Sequence, residues 1–375
     1  MPYIHELPGW PMFRWDQTAV ADTLAAVRFR QGRLIGQMEE LGFSLRSEAM
    51  LRTLTEDVLK SSEIEGEILD RNQVRSSVAR RLGLDVGGLV PTDRDVEGVV
   101  EMTLDATQNY RHALTSERLF GWHAALFPTG RSGMRRIAVG MWRDDRSGPM
   151  QVVSGPLGRE RVHFEAPKAT RIAMEMAGFL AWFNREPGTD PVPVDPVLKA
   201  GIAHLWFVTI HPFEDGNGRI ARAIADMQLA RSEHSSQRFY SMSAQIRRER
   251  RTYYDNLEAA QKGDIDITVW LTWFLACLSR AFDSTETILA HVLAKARFWE
   301  MHADRTFNDR QRDMLNRLLD GFDGKLTSSK WAVIEKCSAD TALRDINDLV
   351  ERGILARDPG GGRSTSYSLV DVDFG

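Results

Sequence analysis

The stretch HPFEDGNGRIAR, His211 to Arg222, constrains this chain more than any other. Before it, LKAGIAHLWFVTI is almost wholly apolar, which predicts a buried helix that delivers His211 to a surface. After it, ARAIADMQLA sets Ala, Ile and Met at helical spacing. The pattern therefore predicts two helices joined by a turn at Gly216-Asn217-Gly218, with that turn against the N-terminus of the second.

Each residue type in the turn has a chemical reason. Glycines let backbone N–H groups approach a ligand without a Cβ in the way. A helix N-terminus offers unpaired N–H donors and a positive dipole end, which together suit a phosphate. Arg219 and Arg222 are three apart, so both guanidiniums leave one helical face and can fork onto neighbouring phosphate oxygens. The single carboxylate of Asp215 suits Mg²⁺, which keeps several waters and is shared with substrate phosphates. His211 is the one group in the stretch that titrates near neutrality unperturbed, which fits a general base.

Taken singly, these residues have plainer readings: a structural histidine, an ordinary turn, a solvated arginine face. Taken in order, they resemble the core signature of the Fic family, H-x-F-x-(D/E)-G-N-G-R-x-x-R, matched at His211, Phe213, Asp215, Gly216, Asn217, Gly218, Arg219 and Arg222. No Lys follows the glycines, so this is not a P-loop. The resemblance implies adenylyl transfer from ATP, with Mg²⁺, to a Ser, Thr or Tyr hydroxyl of a protein. Within it, His211 is the base and Asp215 the metal ligand. Asn217 and the Gly216 and Gly218 amides face the α-phosphate, and Arg219 and Arg222 hold the leaving pyrophosphate. Phe213 is expected to point inward and set the loop.

Composition limits the alternatives. Over 375 residues, 43% hydrophobic and 27% charged content is that of an ordinary globular protein, and a net charge of −4 gives no general push towards nucleic acid or membrane. Cys277 and Cys337 read as buried thiols in a reducing compartment. The opening MPYIHELPGW lacks the basic and apolar regions of a leader. A cytoplasmic, non-membrane protein is expected.

In chain order, Trp10, Pro11, Phe13 and Trp15 crowd ahead of a helix that starts at Asp16 and should dock on the domain. That helix carries Val20, Leu24, Val27, Leu34, Met38 and Leu41 at helical spacing, and ends near Gly42. Ser47 is the expected N-cap of the next helix, about 47–66, which finishes in KSSEIEGE. Ser61 and Glu65 share a face there, with Gly66 as a helix stop. By chance alone this is a solvated helix end. Beside a Fic core it is similar to the family's inhibitory pattern (S/T)-x-x-x-E-(G/N), which implies a regulatory role for Glu65 and Ser61.

Helices are expected in VRSSVARRLGL, VEGVVEMTLDATQNY and ERLFGWHAALF, with His123 as a packing residue. Val152-Val153 and Val162-His163-Phe164 should pair in a hairpin around Gly155-Pro156 and Gly158. In the family such a hairpin, about 150–165, is the flap, which aligns a target protein segment by strand addition; Val153 and Ser154 are its expected nucleotide contacts. The resemblance also places Tyr253, Tyr254 and Gln261 around the nucleoside. A long helix from Ile267 to Met301 should close the catalytic part.

From 306 on, RQRDMLNRLL, KWAVIEKCS and DTALRDINDLVERG read as three helices, the third with Leu343, Ile346 and Leu349 inward. ILARDPGGGRSTSYSLV follows as a two-stranded wing, similar to a winged helix. Asp340, Asp345, Asp348 and Glu351 against Arg344 and Arg352 give the third helix a net negative face, so DNA binding is not expected. Docking or homodimerisation is. The expected architecture is mainly α: an N-terminal helical region (1–110), a catalytic domain with one hairpin (111–305) and a winged-helix-like module (306–375). Two alternatives stay open. The same site could remove AMP or transfer another phosphate-containing group, or the chain could be a transcription regulator whose Fic part senses a nucleotide.

Overall fold

The computed structural model describes residues 2–39, 43–84, 86–146, 148–155, 159, 161–186, 193–322, 324–359 and 365–370. The chain divides into two compact units. The first comprises Met1–Glu40, Met50–Asp85 and Leu89–Ser284; the second comprises Leu41–Ala49, Val86–Gly88 and Thr285–Gly375.

In chain order the first unit draws on α1 (Gln17–Glu39), α2 (Phe43–Ile64), α3 (Arg71–Arg81), α4 (Arg94–Gln108) and α5 (Ser116–Leu126). Two hairpins follow, β1 (Arg131–Ser132) with β2 (Arg135–Arg136), then β3 (Gln151–Ser154) with β4 (Arg161–Glu165). The helices resume as α6 (Ala169–Phe183), α7 (Pro196–Ile210), α8 (Asn217–Glu233), α9 (Met242–Arg248), α10 (Arg250–Lys262) and α11 (Thr268–Met301). Its core is the pair α7 and α8. Every residue of α7 after Pro196 is buried, polar ones included. A helix apolar on all sides has no stable place except the interior. Leu205, Phe207 and Ile210 are fully buried, each contributing roughly 1.5–3 kcal/mol relative to exposure. The N-terminal aromatics dock as expected: Trp10 and Phe13 pack edge-on against Trp206 of α7, and the Trp10 indole donates to Glu175 on α6. Asp16 accepts from the N–H groups of Thr18 and Ala19 and starts α1.

Two local expectations need correcting. Ser47 is not an N-cap, because α2 begins at Phe43 and Ser47 lies inside it; the break expected near Gly42 falls outside the described residues. The stretch 111–305 carries two hairpins rather than the one expected, since the two-residue strands at 131–136 are too short to show alternation. In the flap hairpin Val152 pairs with Phe164 and Val153 with Val162, with a bulge between Val152 and Val153. Pro156 and Gly158 of its expected turn lie outside the described residues.

In the second unit, α12 (Asp309–Leu319), β5 (Leu326–Thr327), α13 (Ser328–Ile334), α14 (Ala339–Glu351), β6 (Leu355–Arg357) and β7 (Ser366–Leu369) surround a core of Met314, Leu315, Trp331, Ile346, Leu349 and Leu355. The sheet has three antiparallel strands in the order β5-β7-β6, one more than the expected wing. The glycines of the wing turn, 360–362, lie outside the described residues. Leu343 is outward, 41% exposed; Ala342, Ile346 and Leu349 form the inward stripe at i, i+4 and i+7, leaving Leu343 one step round the helix. The acidic face is also weaker than its sequence suggests. Asp345 is buried against Arg310 and Asn308, and Asp348 is engaged by Gln311 and Arg352.

Candidate active site

His211 ends α7 in a left-handed conformation, φ 51° and ψ 57°, and its N–H closes the helix on the Phe207 carbonyl. A non-glycine residue rarely adopts this geometry, and it costs on the order of 1–2 kcal/mol. Burial, and after it the nearby Arg143 charge, hold its pKa down to about 4. The imidazole is therefore the free base at neutral pH.

The turn that follows is braced from inside. Phe213 is buried and stacks on His123 with ring centres 4.2 Å apart. The Asn217 carboxamide uses both ends on Phe213, accepting from its N–H at 3.0 Å and donating to its carbonyl at 2.9 Å. Asn217 thus serves the loop with its side chain and has its backbone N–H left for a ligand. Gly216 is the N-cap of α8 and no side chain caps that helix end. The first turn of α8 is an uncapped row of N–H donors carrying the positive end of the dipole.

Arg219 and Arg222 stand on this turn, 2% and 3% exposed. Glu65 pairs with Arg222, Nη2 to Oε1 at 2.8 Å. Its carboxylate lies directly over Gly218: a Cβ there would come within 2.2 Å of Oε1, so a larger residue would push the carboxylate aside. Burial alone would lower the Arg222 pKa, but Glu65 together with Tyr253 and Tyr254 outweighs it and the net shift is upward. Ser61, one turn before Glu65, accepts from Arg222, through Oγ from Nε at 3.0 Å and through its carbonyl from Nη2 at 2.9 Å.

Glu67 was missed in the sequence. Its carboxylate pairs with Arg219 Nη1. The cause is the end of α2: Gly66 takes φ 87°, the Gly66 N–H bonds the Glu63 carbonyl and the Glu67 N–H bonds the Ser62 carbonyl. This glycine-closed turn aims Glu65 and Glu67 at the two arginines. Burial, then repulsion from Asp215 and Glu65 against the pull of Arg219, raises the Glu67 pKa. Arg219 Nε and Arg222 Nη1 are buried and have no hydrogen-bond partner among the described residues, donors that a larger anion would satisfy.

Asp215 accepts from the Gly216 N–H at 2.6 Å and from the Ser132 hydroxyl on β1. No group of three or more His, Cys, Asp or Glu side chains able to hold a metal occurs among the described residues. One carboxylate fits an Mg²⁺ that arrives with a polyphosphate and keeps its waters, and would not retain the ion alone.

The remaining candidates are placed differently. Tyr253 is 1% exposed, bonded through its hydroxyl to His204 and packed against Trp270 and Trp273. Gln261 is also buried and reaches Thr209. Tyr254 is partly exposed beside Arg250. On the flap Val153 is exposed, while Ser154 bonds His163, whose other ring nitrogen meets Glu258 at 2.6 Å. His123 is a fully buried packing residue, as expected.

Comparison with known proteins adds a family. Residues 113–229 match the family described as Fic/DOC, and residues 3–84 match a Domain of unknown function (DUF4172). The chain is similar to "Protein adenylyltransferase Fic" of Culex quinquefasciatus, 26% identical over 230 residues, covering 60% of this chain and 40% of that protein. It is similar to the protein of the same name from Aedes aegypti, 25% identical over 230 residues, with 60% and 40% covered. The chain thus spans about two fifths of the length of these curated relatives. In fold it is similar to a solved Fic family protein from Desulfovibrio desulfuricans G20, with a TM-score of 0.51, 22% identity, and 94% of this chain and 96% of that one covered. The motif at His211–Arg222 lies inside residues 113–229, the region of the chain that matches the Fic/DOC family.

Proposed function

We propose that this protein transfers the adenylyl group of ATP to a protein hydroxyl and that Glu65 restrains it. One observation carries the reading: a carboxylate occupies an uncapped helix N-terminus and a buried arginine, where a phosphate oxygen would otherwise bind. In the reaction the acceptor oxygen attacks the α-phosphorus, and the bond to the bridging oxygen of pyrophosphate breaks. The hydroxyl proton passes to the neutral His211 imidazole. The α8 amides and the arginine pair stabilise charge on the transferred and leaving phosphates, as in other phosphoryl transfers. Asp215 would hold an Mg²⁺ that neutralises phosphate charge. The exposed strand edge of the flap would align the target segment backbone to backbone. The similarity to proteins named protein adenylyltransferase supports this activity.

Glu65 on Arg222 and a nucleotide's terminal phosphate exclude one another. A nucleotide can still enter through its other contacts, displaced from in-line geometry, so inhibition falls on turnover more than on affinity. The reaction is tested by incubating the chain and its His211→Ala variant with ATP labelled at the α- or the γ-phosphate. Only α-label should stay on protein, and His211→Ala should lower it about 10²–10⁴-fold with nucleotide binding retained. Retained γ-label, or undiminished labelling of the variant, would refute the assignment.

A further inference from the structure

Arg143 lies outside the recognised motif, yet its side chain ends at the catalytic loop. It is 3% exposed, and its whole guanidinium is committed. Nε donates to the His211 carbonyl at 2.8 Å, Nη2 to the Pro167 carbonyl at 2.5 Å and Nη1 to Asp145 Oδ1 at 3.0 Å. Its backbone N–H donates to the Pro212 carbonyl at 2.9 Å. Asp145 spends its other oxygen on the Ala169 N–H at 2.7 Å, at the start of α6. The result is a two-sided clamp. One side grips the carbonyls of His211 and Pro212; the other grips the chain as it leaves β4, just past the Ala166 N–H that extends the flap pairing to the Met150 carbonyl.

We propose that Arg143 is a positioning residue that fixes the distance between the His211 base and the flap strand on which the acceptor segment docks. The proposal rests on the adenylyl-transfer reading and adds to it the part that sets base against acceptor. Three arguments support it. His211 is held in an unfavourable left-handed conformation, and capture of its carbonyl by a buried cation is what over-determines it. The other end of the same guanidinium is tied to the flap's exit, so base and docking strand share one rigid group. Finally, only a planar fork can serve three acceptors in these directions; a lysine would keep the charge and lose the geometry. Near-attack geometry is sensitive to displacements of about 1 Å, which cost on the order of 10²-fold in rate.

The test uses the full chain carrying Glu65→Gly, with ATP and the chain itself as acceptor. In that background Arg143→Lys and Asp145→Asn are compared with intact Arg143. Three quantities are read: α-label incorporation, affinity for a non-hydrolysable ATP analogue, and the His211 ring resonances in a ¹H–¹³C spectrum, assigned by their loss in His211→Ala. Arg143→Lys should lower self-labelling by about 30–100-fold and move the His211 ring signals, with analogue affinity within about twofold. Asp145→Asn, a milder change, should do the same to a smaller degree. Unchanged ring signals and labelling in Arg143→Lys would overturn the proposal, as would parallel loss of labelling, analogue binding and melting temperature in both variants. If the Glu65→Gly chain itself takes no label, the adenylyl-transfer reading fails, and the ring signals alone decide whether Arg143 positions His211.

Discussion

At the start of α8, Arg219 and Arg222 each meet one carboxylate, Glu67 and Glu65, that comes from the end of α2. Near its far end Arg238 meets two, Asp226 at 2.7 Å and Glu233 at 3.3 Å, and shares Glu233 with the Tyr240 hydroxyl. The three arginines are equally buried. Their partners are not: Glu65 and Glu67 side chains are 30% and 46% exposed, against 5% and 2% for Asp226 and Glu233. Both arginines of the first group also keep an unpartnered buried nitrogen, which Arg238 does not among the described residues. Burial, then the neighbouring Asp57, raises the Asp226 pKa. One network is saturated and closed. The other leaves two guanidinium nitrogens unpartnered among the described residues and its carboxylates partly exposed.

That contrast first predicts stabilities. Removing the cation from the closed network with Arg238→Met should cost about 3–5 kcal/mol, because it strands buried acids. Glu65→Gln in the open one should cost less than about 1 kcal/mol. Denaturant melts of the two variants check this, and similar costs would erase the distinction. A second, smaller effect is acid sensitivity around the open network. Burial, then the charge of Arg222, lowers the His204 pKa to about 3; burial chiefly lowers that of His123 to about 4. Both are depressed below the unfolded value, so the unfolded chain binds more protons and stability falls as pH drops from about 6.5 towards 4. Each should lose on the order of 2 kcal/mol by pH 5. A His204→Phe variant that melts with the same pH slope as the parent would contradict this. The smallest effect is on Glu67. Releasing Arg219 with Glu67→Gln should raise affinity for an ATP analogue severalfold, the scale of a partly exposed pair worth about 1 kcal/mol. Because the Glu67 pKa is raised, mild acid should raise affinity in the parent more than in the variant.

How much of this was legible in the sequence depends on the range of the contact. The motif helix pair, the flap pairing of Val152 with Phe164 and the end of α2 are set by periodicity and turn glycines within a few residues, and each shows in the local pattern. Glu67 had a local signal, a second acid two residues past Glu65 across a glycine turn, that a search for the family pattern passes over. Arg143 had none: it acts on His211 across 68 positions of sequence, and nothing in GMWRDD announces that. Tyr253 and Gln261 came from resemblance alone, and packing against Trp270, Trp273 and Thr209 keeps both inside. The charge count on α14 misled because sequence does not say which acids turn inward; Asp345 does.

The central claim is that Glu65 occupies an anion site needed for turnover. Its most direct test compares wild type with Glu65→Gly, matched by thermal melt, in ATP labelled at the α-phosphate with Mg²⁺. The account predicts that Glu65→Gly labels itself at least about tenfold faster, the factor that 1.4 kcal/mol supplies, with analogue affinity changed far less. Equal, low labelling of both proteins, each with nucleotide bound, would contradict it and return Glu65 to a solvated glutamate at a helix end.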